Sequence, residues 1–210
     1  MNVTRPSGRG ISQYPRPKGH VTFTIKQLQY SMIIIIDNDI YLELIAPKHA
    51  QGIFDIANNN RQYLRKWLPW VENMHDIDFI NGAINGSVQR HNQGNEWAYV
   101  IIKNERIIGR MGVYKIDNQN KIGEIGYWIA ENEQGKGIIT QSCKALSDYC
   151  FNDLKLNRIE IKCGTGNVES QRIPEKLGFV QEGIIRQGEL VHNEFIDLKL
   201  YSLLKETWIK

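Results

Sequence analysis

Residues Glu133 to Thr140 read Glu-Gln-Gly-Lys-Gly-Ile-Ile-Thr, between a strand-like run (Glu124–Ile129) and a helix-like run (Ile138–Phe151). Two glycines one residue apart let a backbone curl until successive N–H groups share one concavity. A helix start adds its own unpaired N–H groups and the positive end of its dipole. The chemistry on offer is the binding of a pyrophosphate without much help from cationic side chains. A dinucleotide fingerprint would need glycine where Thr140 stands, and an acidic residue ending the next strand; Glu160 instead lies within its strand. An ATP-type loop would need Gly-Lys-Ser/Thr, whereas Lys136 precedes Gly137. Taken alone the segment reads equally as a plain helix-initiating turn.

A second cluster follows. Asn157 to Cys163 alternates as a strand, and Gly-Thr-Gly-Asn167-Val-Glu-Ser170 leads into a short helix closed by Lys176-Leu-Gly-Phe179. Asn167 has the character of an N-cap and Gly178 of a terminating glycine.

The order strand, Gln-Gly-x-Gly helix, strand, Asn-x-x-Ser helix, Lys-Leu-Gly-Phe resembles the GCN5-related N-acetyltransferase (GNAT) superfamily. The detail is similar to its ribosomal-protein N-acetyltransferase (Rim-type) branch. Gly-Glu-Ile-Gly-Tyr-Trp-Ile (123–129), Leu-Asn-Arg-Ile (156–159), Asn-Val-Glu-Ser and the closing Tyr201-Ser-Leu-Leu carry the resemblance, which spans roughly residues 40 to 208. It implies acetyl transfer from acetyl-CoA, as co-substrate and with no metal, to a primary amine. The branch points to the N-terminal amine of a ribosomal protein. The alternatives are a small amine (polyamine, amino sugar or antibiotic) and a non-catalytic acetyl-CoA-binding module.

The resemblance assigns roles by position. Backbone N–H groups of Gln134, Gly135, Lys136, Gly137 and Ile138, with the Thr140 hydroxyl, would hold the diphosphate. Asn132 stands where the family usually has Arg or Gln. Asn167 matches the asparagine that holds the pantetheine arm, and is also a simple cap. A backbone amide at Ile129 or Ala130 would receive the oxyanion. The usual tyrosine acid falls at Pro174, which has no proton to give. Ser170, four positions earlier on the same helix face, is the candidate substitute; the alternatives are that it only serves the Asn167 cap as the N3 residue and that the thiolate leaves unassisted. Two carboxylates compete as base: Glu189, in the turn before the last strand, ahead of Glu124, on the strand before the phosphate loop. His192 nearby reads as an ordinary turn residue. Tyr63, Trp67 and Trp70 form an aromatic edge for the acceptor, with Glu72, Asp76 and Asp78 beside it as attractors of an amine.

These residues need a scaffold, and the chain is long enough to build one: 210 residues, 41% apolar and 23% charged. No apolar run approaches the twenty residues or so of a membrane span, so no membrane partner is expected. Cys143, Cys150 and Cys163 lack metal-ligand spacing and read as buried free thiols in a cytoplasmic protein. The net charge of +3 is uneven: residues 1–26 carry five Lys or Arg and no acid, leaving −2 for the rest. That argues against nucleic-acid binding by the body. Residues 1–31 also hold three of the six prolines. They are expected to form a flexible basic tail, either a basic arm or a remnant ahead of a start at Met32. Residues 32–210 are expected to form one N-acetyltransferase domain, monomeric or homodimeric.

Within that domain the pattern predicts a bent strand pair around Asp37-Asn38, and a helix opened by Pro47. A helical piece follows from Arg61, broken at Pro69, and a further helix over 76–93. Strands are expected over 96–103, 106–115 and 121–129, then the Gly137 helix and the Asn157 strand. The Asn167 helix and strands over 179–186 and 195–204 complete the set. Helices, then hairpins, then a βαβα crossover predict an α/β fold: GNAT-like, three-layer α/β/α, with a mixed, mostly antiparallel central sheet.

Overall fold

A computed structural model describes residues 32–208; the tail expected over residues 1–31 lies outside the described residues. Eight strands form one sheet in the order β1-β2-β3-β4-β5-β6-β8-β7. They are β1 (Ile33–Ile35), β2 (Ile40–Leu44), β3 (Trp97–Lys103), β4 (Arg106–Asp117), β5 (Ile122–Ile129), β6 (Arg158–Gly164), β7 (Val180–Val191) and β8 (Glu194–Leu204). Every pairing is antiparallel except β5 with β6. Four helices lie on one face: α1 (Ala50–Asn59), α2 (Arg61–Leu64), α3 (Trp70–Asn73) and α4 (Ile77–Asn92). On the other face lie α5 (Ile138–Asn152) and α6 (Val168–Lys176), and α7 (Lys205–Trp208) follows β8.

The two faces explain the strand composition. Tyr99 and Ile101 of β3 enter the core beneath α5, while Ala98, Val100 and Ile102 enter the core beneath α1 and α4. A strand covered on both sides reads as a continuous apolar run. In α5 the stripe Ile139, Cys143, Leu146 and Cys150 is buried as its spacing requires. Each large aliphatic side chain so buried contributes about 1.5–3 kcal/mol.

Local signals act where expected. The Asp37 carboxylate accepts from the Asp39 and Ile40 N–H groups, both at 2.9 Å, and turns the chain between β1 and β2. Asn104 and Glu105, with φ of 47° and 63°, make the tight β3–β4 turn. Asp76 caps α4 by accepting from the Phe79 N–H at 3.1 Å. Two differences stand out. Pro69 breaks the helix only to cap another short one, α3. And β7 runs to Val191, so Glu189 lies inside a strand, paired with Ile196, rather than in a turn. The turn is at His192 and Asn193, both with positive φ.

Candidate active site

The parallel pair β5–β6 is bonded over only three rungs, Ile122↔Arg158, Gly123↔Ile159 and Glu124↔Glu160. Beyond them β5 stays with β4 and β6 stays with β8, so the two strands part and open a slit through the sheet. A cavity of about 760 Å³ occupies it. Its wall runs from the Gly135–Thr140 loop, past Tyr127, Ser170 and Asn167 on the α5 face, to Glu124, Trp67 and Glu189 on the other.

The loop is built as its glycines suggest. Gly135 and Gly137 have φ of 72° and 76°, in the left-handed region that favours glycine. Gly137 is the N-cap of α5 and offers no side-chain bond. The first main-chain bond inward is Gln141 N–H to the Gly137 carbonyl at 3.0 Å. The N–H groups of Ile138, Ile139 and Thr140 therefore have no intrahelical acceptor. A Cβ at Gly135 would meet nothing within 4 Å, so the concavity is open. Lys136 is not a free cation; its ammonium pairs with Glu133 at 3.1 Å, which also holds Lys103 at 2.7 Å. The Gln134 N–H donates to the Glu131 carbonyl at 3.2 Å, so it is not available to a diphosphate. Its side chain donates instead to the Tyr63 hydroxyl.

The slit supplies more donors. Ala130 N–H donates to the Ile108 carbonyl at 2.8 Å, which removes it as an oxyanion donor. Ladder alternation then turns Trp128 and Gly126 toward β4, and the N–H groups of Tyr127 and Ile129 toward the gap. Of the two expected amides, Ile129 is the one that faces the cavity. An open cradle at a helix start, continuous with a slit lined by main-chain donors, fits a long thioester whose diphosphate lies at one end.

Asn167 caps α6: its Oδ1 accepts from the Ser170 N–H at 3.2 Å, so the cap uses its oxygen, and the residue lines the cavity. The Ser170 hydroxyl sits 3.3 Å from both the Tyr127 hydroxyl and the Cys163 sulfur. Tyr127 was not among the sequence candidates. The signal for it was the alternation of β5, which sets Ile125, Tyr127 and Ile129 on the α5 face.

The two carboxylates differ in surroundings. Burial pushes the Glu124 carboxyl up, but Lys162 at 2.8 Å and Lys115 at 3.3 Å together outweigh it and hold it below its ordinary value. Glu189 has no ion pair among the described residues. The cavity walls raise its pKa, the Glu124 charge raises it further, and Lys115 opposes both. It is aimed by an irregularity in which Arg186, Gln187 and Gly188 face Asp197 alone. The Gln187 N–H donates to the Asp197 carboxylate at 2.7 Å, and the strand resumes with Glu189 toward the cavity.

The aromatic edge divides. Tyr63 and Trp67 line the cavity, Trp67 lying where a Cβ on Gly164 or Gly166 would come within 3.3 Å of its ring. Trp70 does not. It is half-buried and packs on Trp128, centroids 6.0 Å apart, against the core under α1 and α4. Glu72 pairs with Arg65 at 2.6 Å, Asp76 is spent as a cap and Asp78 accepts from the Asn81 amide at 3.4 Å; none of the three expected acidic attractors lines the cavity. His192 ties the β7–β8 turn to the helical side, with Nε2 2.6 Å from the Arg65 carbonyl and Nδ1 3.6 Å from Glu72.

Comparison with known proteins agrees with this geometry. Residues 39–180 match the acetyltransferase (GNAT) domain family. The chain is 36% identical over 174 residues to YdaF of Bacillus subtilis (strain 168), provisionally named a ribosomal N-acetyltransferase, covering 82% of this chain and 95% of that one. Among solved structures it is similar to RimL, a ribosomal L7/L12 alpha-N-protein acetyltransferase in complex with coenzyme A. There the TM-score is 0.80 at 25% identity, over 82% of this chain and 98% of that one. It is also similar to the microcin C7 self-immunity acetyltransferase MccE, in complex with acetyl-CoA and AMP. That match has a TM-score of 0.77 at 27% identity, over 80% of this chain and 94% of that one. The sheet that parts at Glu124 and the glycine-started helix facing the gap are thus those of an N-acetyltransferase, and the chain belongs to the GNAT family, in its Rim-type branch.

Proposed function

We propose that the protein transfers acetyl from acetyl-CoA to the N-terminal amine of a protein, a ribosomal protein in the first instance, in the cytoplasm. The N–H groups of Gly135 to Thr140 hold the diphosphate at the start of α5, with the Thr140 hydroxyl beside them; that of Gln134 is engaged with the Glu131 carbonyl. The Asn167 amide holds the pantetheine arm. Ile129 and Tyr127 present N–H groups where negative charge develops on the acyl oxygen. Glu189 takes the proton that the attacking ammonium must lose, and Ser170 faces the departing sulfur. Trp67 and Tyr63 wall the approach. The cytoplasmic assignment draws on three buried free cysteines, and no helix among the described residues is long and apolar enough to cross a membrane.

The observation that carries this reading is the continuity of one cavity from the helix start, through the parted sheet, to a single unpaired carboxylate. One ammonium suits that carboxylate. A polycation would meet Lys115 and Lys162 beside it, already engaged with Glu124. Thiol release from acetyl-CoA, measured against peptides with N-terminal serine or alanine and against spermidine and an aminoglycoside, tests it. Turnover confined to the small amines would reassign the acceptor, and turnover with none would leave only coenzyme binding.

A further inference from the structure

Pro174 has no N–H to give to the Ser170 carbonyl four residues back, where an uninterrupted helix would bond it. Tyr127, from the sheet, donates its hydroxyl there instead, at 3.0 Å. The Ser170 hydroxyl lies 3.3 Å from the same phenol oxygen. With the tyrosine proton committed to the carbonyl, that oxygen accepts from Ser170. The serine oxygen, 3.3 Å from the Cys163 sulfur, is left to accept from the thiol. All three side chains line the cavity. Burial first, with the neighbouring thiols of Cys143 and Cys163, holds the Tyr127 phenol well above its ordinary pKa, so it keeps its proton across the working range.

Serine alone is a poor proton source for a sulfur. An aliphatic hydroxyl is a far weaker acid than a thiol of pKa about 8.5, so Ser170 cannot be left as an alkoxide; a phenol, even one that burial holds above its ordinary value of about 10, is a stronger acid than an aliphatic hydroxyl. We propose, resting on the acetyl-transfer reading, that Tyr127 is the proton reserve behind Ser170. The C–S bond breaks with its electron pair going to sulfur. The Ser170 hydroxyl rotates away from Tyr127 and gives its proton to that sulfur; the Tyr127 hydroxyl then rotates from the Ser170 carbonyl at 3.0 Å to the Ser170 oxygen at 3.3 Å and gives its proton there. Glu189 releases to solvent the proton taken from the amine, and Tyr127 recovers one from solvent. The sum is amine plus thioester giving amide plus thiol. Tyr127 acts through Ser170 and is a positioning residue; Pro174 is what brings its hydroxyl to that carbonyl.

The test is a double-mutant cycle of Tyr127→Phe and Ser170→Ala, read by thiol release from acetyl-CoA with a short peptide bearing an N-terminal serine. Tyr127→Phe lowers kcat about tenfold or more, less than the roughly 10²–10⁴-fold of a group that transfers a proton to substrate directly, because Ser170 remains, with KM for acetyl-CoA within about twofold. It lowers kcat no further in the Ser170→Ala background. Unchanged kcat, or an equal fall in both backgrounds, overturns the proposal. A second readout needs no acceptor. In the binary complex with coenzyme A, thiolate absorbance, measured against the desulfo-coenzyme complex, gives the bound thiol's pKa. Loss of Tyr127 raises that pKa, and an unchanged value overturns the relay even where acetyl transfer stands. Failure of the wild-type protein to bind coenzyme A overturns the acetyl-transfer reading itself, and the relay with it.

Discussion

Lys162 donates to Glu124 at 2.8 Å, two residues beyond the last bonded rung of the β5–β6 pair, where Glu124 faces Glu160. The contact bridges the strands where they begin to part. It also fixes the charge state of one candidate base, because Lys115 approaches the same carboxylate from β4. A carboxylate held by two ammonium groups is a weak proton acceptor, which is why the proposed mechanism gives the base role to Glu189.

Glu189→Gln should lower kcat about 100-fold or more, and Glu124→Gln much less. The acidic limb of kcat/KM should lie above the ordinary carboxyl value of 4.5, because Glu189 works only when ionised and its pKa is raised. Glu124→Gln removes a neighbouring negative charge and should move that limb to lower pH, while Lys115→Met should move it higher. Steady-state kinetics from pH about 4 to 9 check the three shifts, with the window centred on the affected carboxyl. A limb that stays fixed in Glu124→Gln sinks the assignment.

Gly137→Ala forces a residue with a Cβ into φ 76°, at about 1–2 kcal/mol. The strain falls on the start of α5, so coenzyme A affinity should drop about tenfold by calorimetry, 1.4 kcal/mol being one decade. Lys136→Ala should change it little, since that ammonium is paired with Glu133.

The two tryptophans should separate. Trp67→Ala enlarges the slot and should raise KM for the peptide acceptor severalfold while leaving coenzyme A affinity unchanged. Trp70→Ala removes packing of a half-buried ring against Trp128 and should lower stability by about 1–2 kcal/mol, read by denaturant midpoint, with less effect on acceptor KM than Trp67→Ala.

Glu182 accepts from Arg158 at 2.7 and 2.5 Å and from Ser202 at 2.6 Å, and its pKa is lowered from 4.5 to about 2, the Arg158 bond being the largest cause. A carboxyl depressed on folding stabilises above its unfolded pKa, and that stability is lost as pH falls from 4.5 toward about 2. The pair is partly exposed, so its worth is at most about 1 kcal/mol. Glu182→Gln should lower Tm by about 2–4 °C at pH 7 and by less near pH 2, on thermal scans across that range.

Much of the site was legible because its signals are local. The positive φ of Gly135 and Gly137, the Asn167 cap, the Asp76 cap and the Asn104-Glu105 turn each follow from what one or two residues do to their own backbone. The α5 stripe and the doubly buried β3 follow from periodicity, and with them the three layers. What the chain order could not disclose is where pairing stops. The parting of β5 from β6 depends on each strand keeping a different partner, and that parting decides that Ile129 and not Ala130 offers its N–H.

The roles of Trp70, Gln134 and Tyr127 also waited on tertiary structure. Trp67 and Trp70 are three residues apart and equivalent by composition, but with a helix break at Pro69 between them one lines the slot and the other packs, half-buried, on Trp128 against the core. Glu189 lies in a strand because its neighbours are absorbed by the Asp197 irregularity, a feature set by the partner strand. Sequence determined the backbone conformations and the buried faces, since torsional preference and periodicity act within a few residues. Only the folded sheet decided which donors and acids share a cavity, since that depends on contacts such as Tyr127 to Ser170, 43 positions apart.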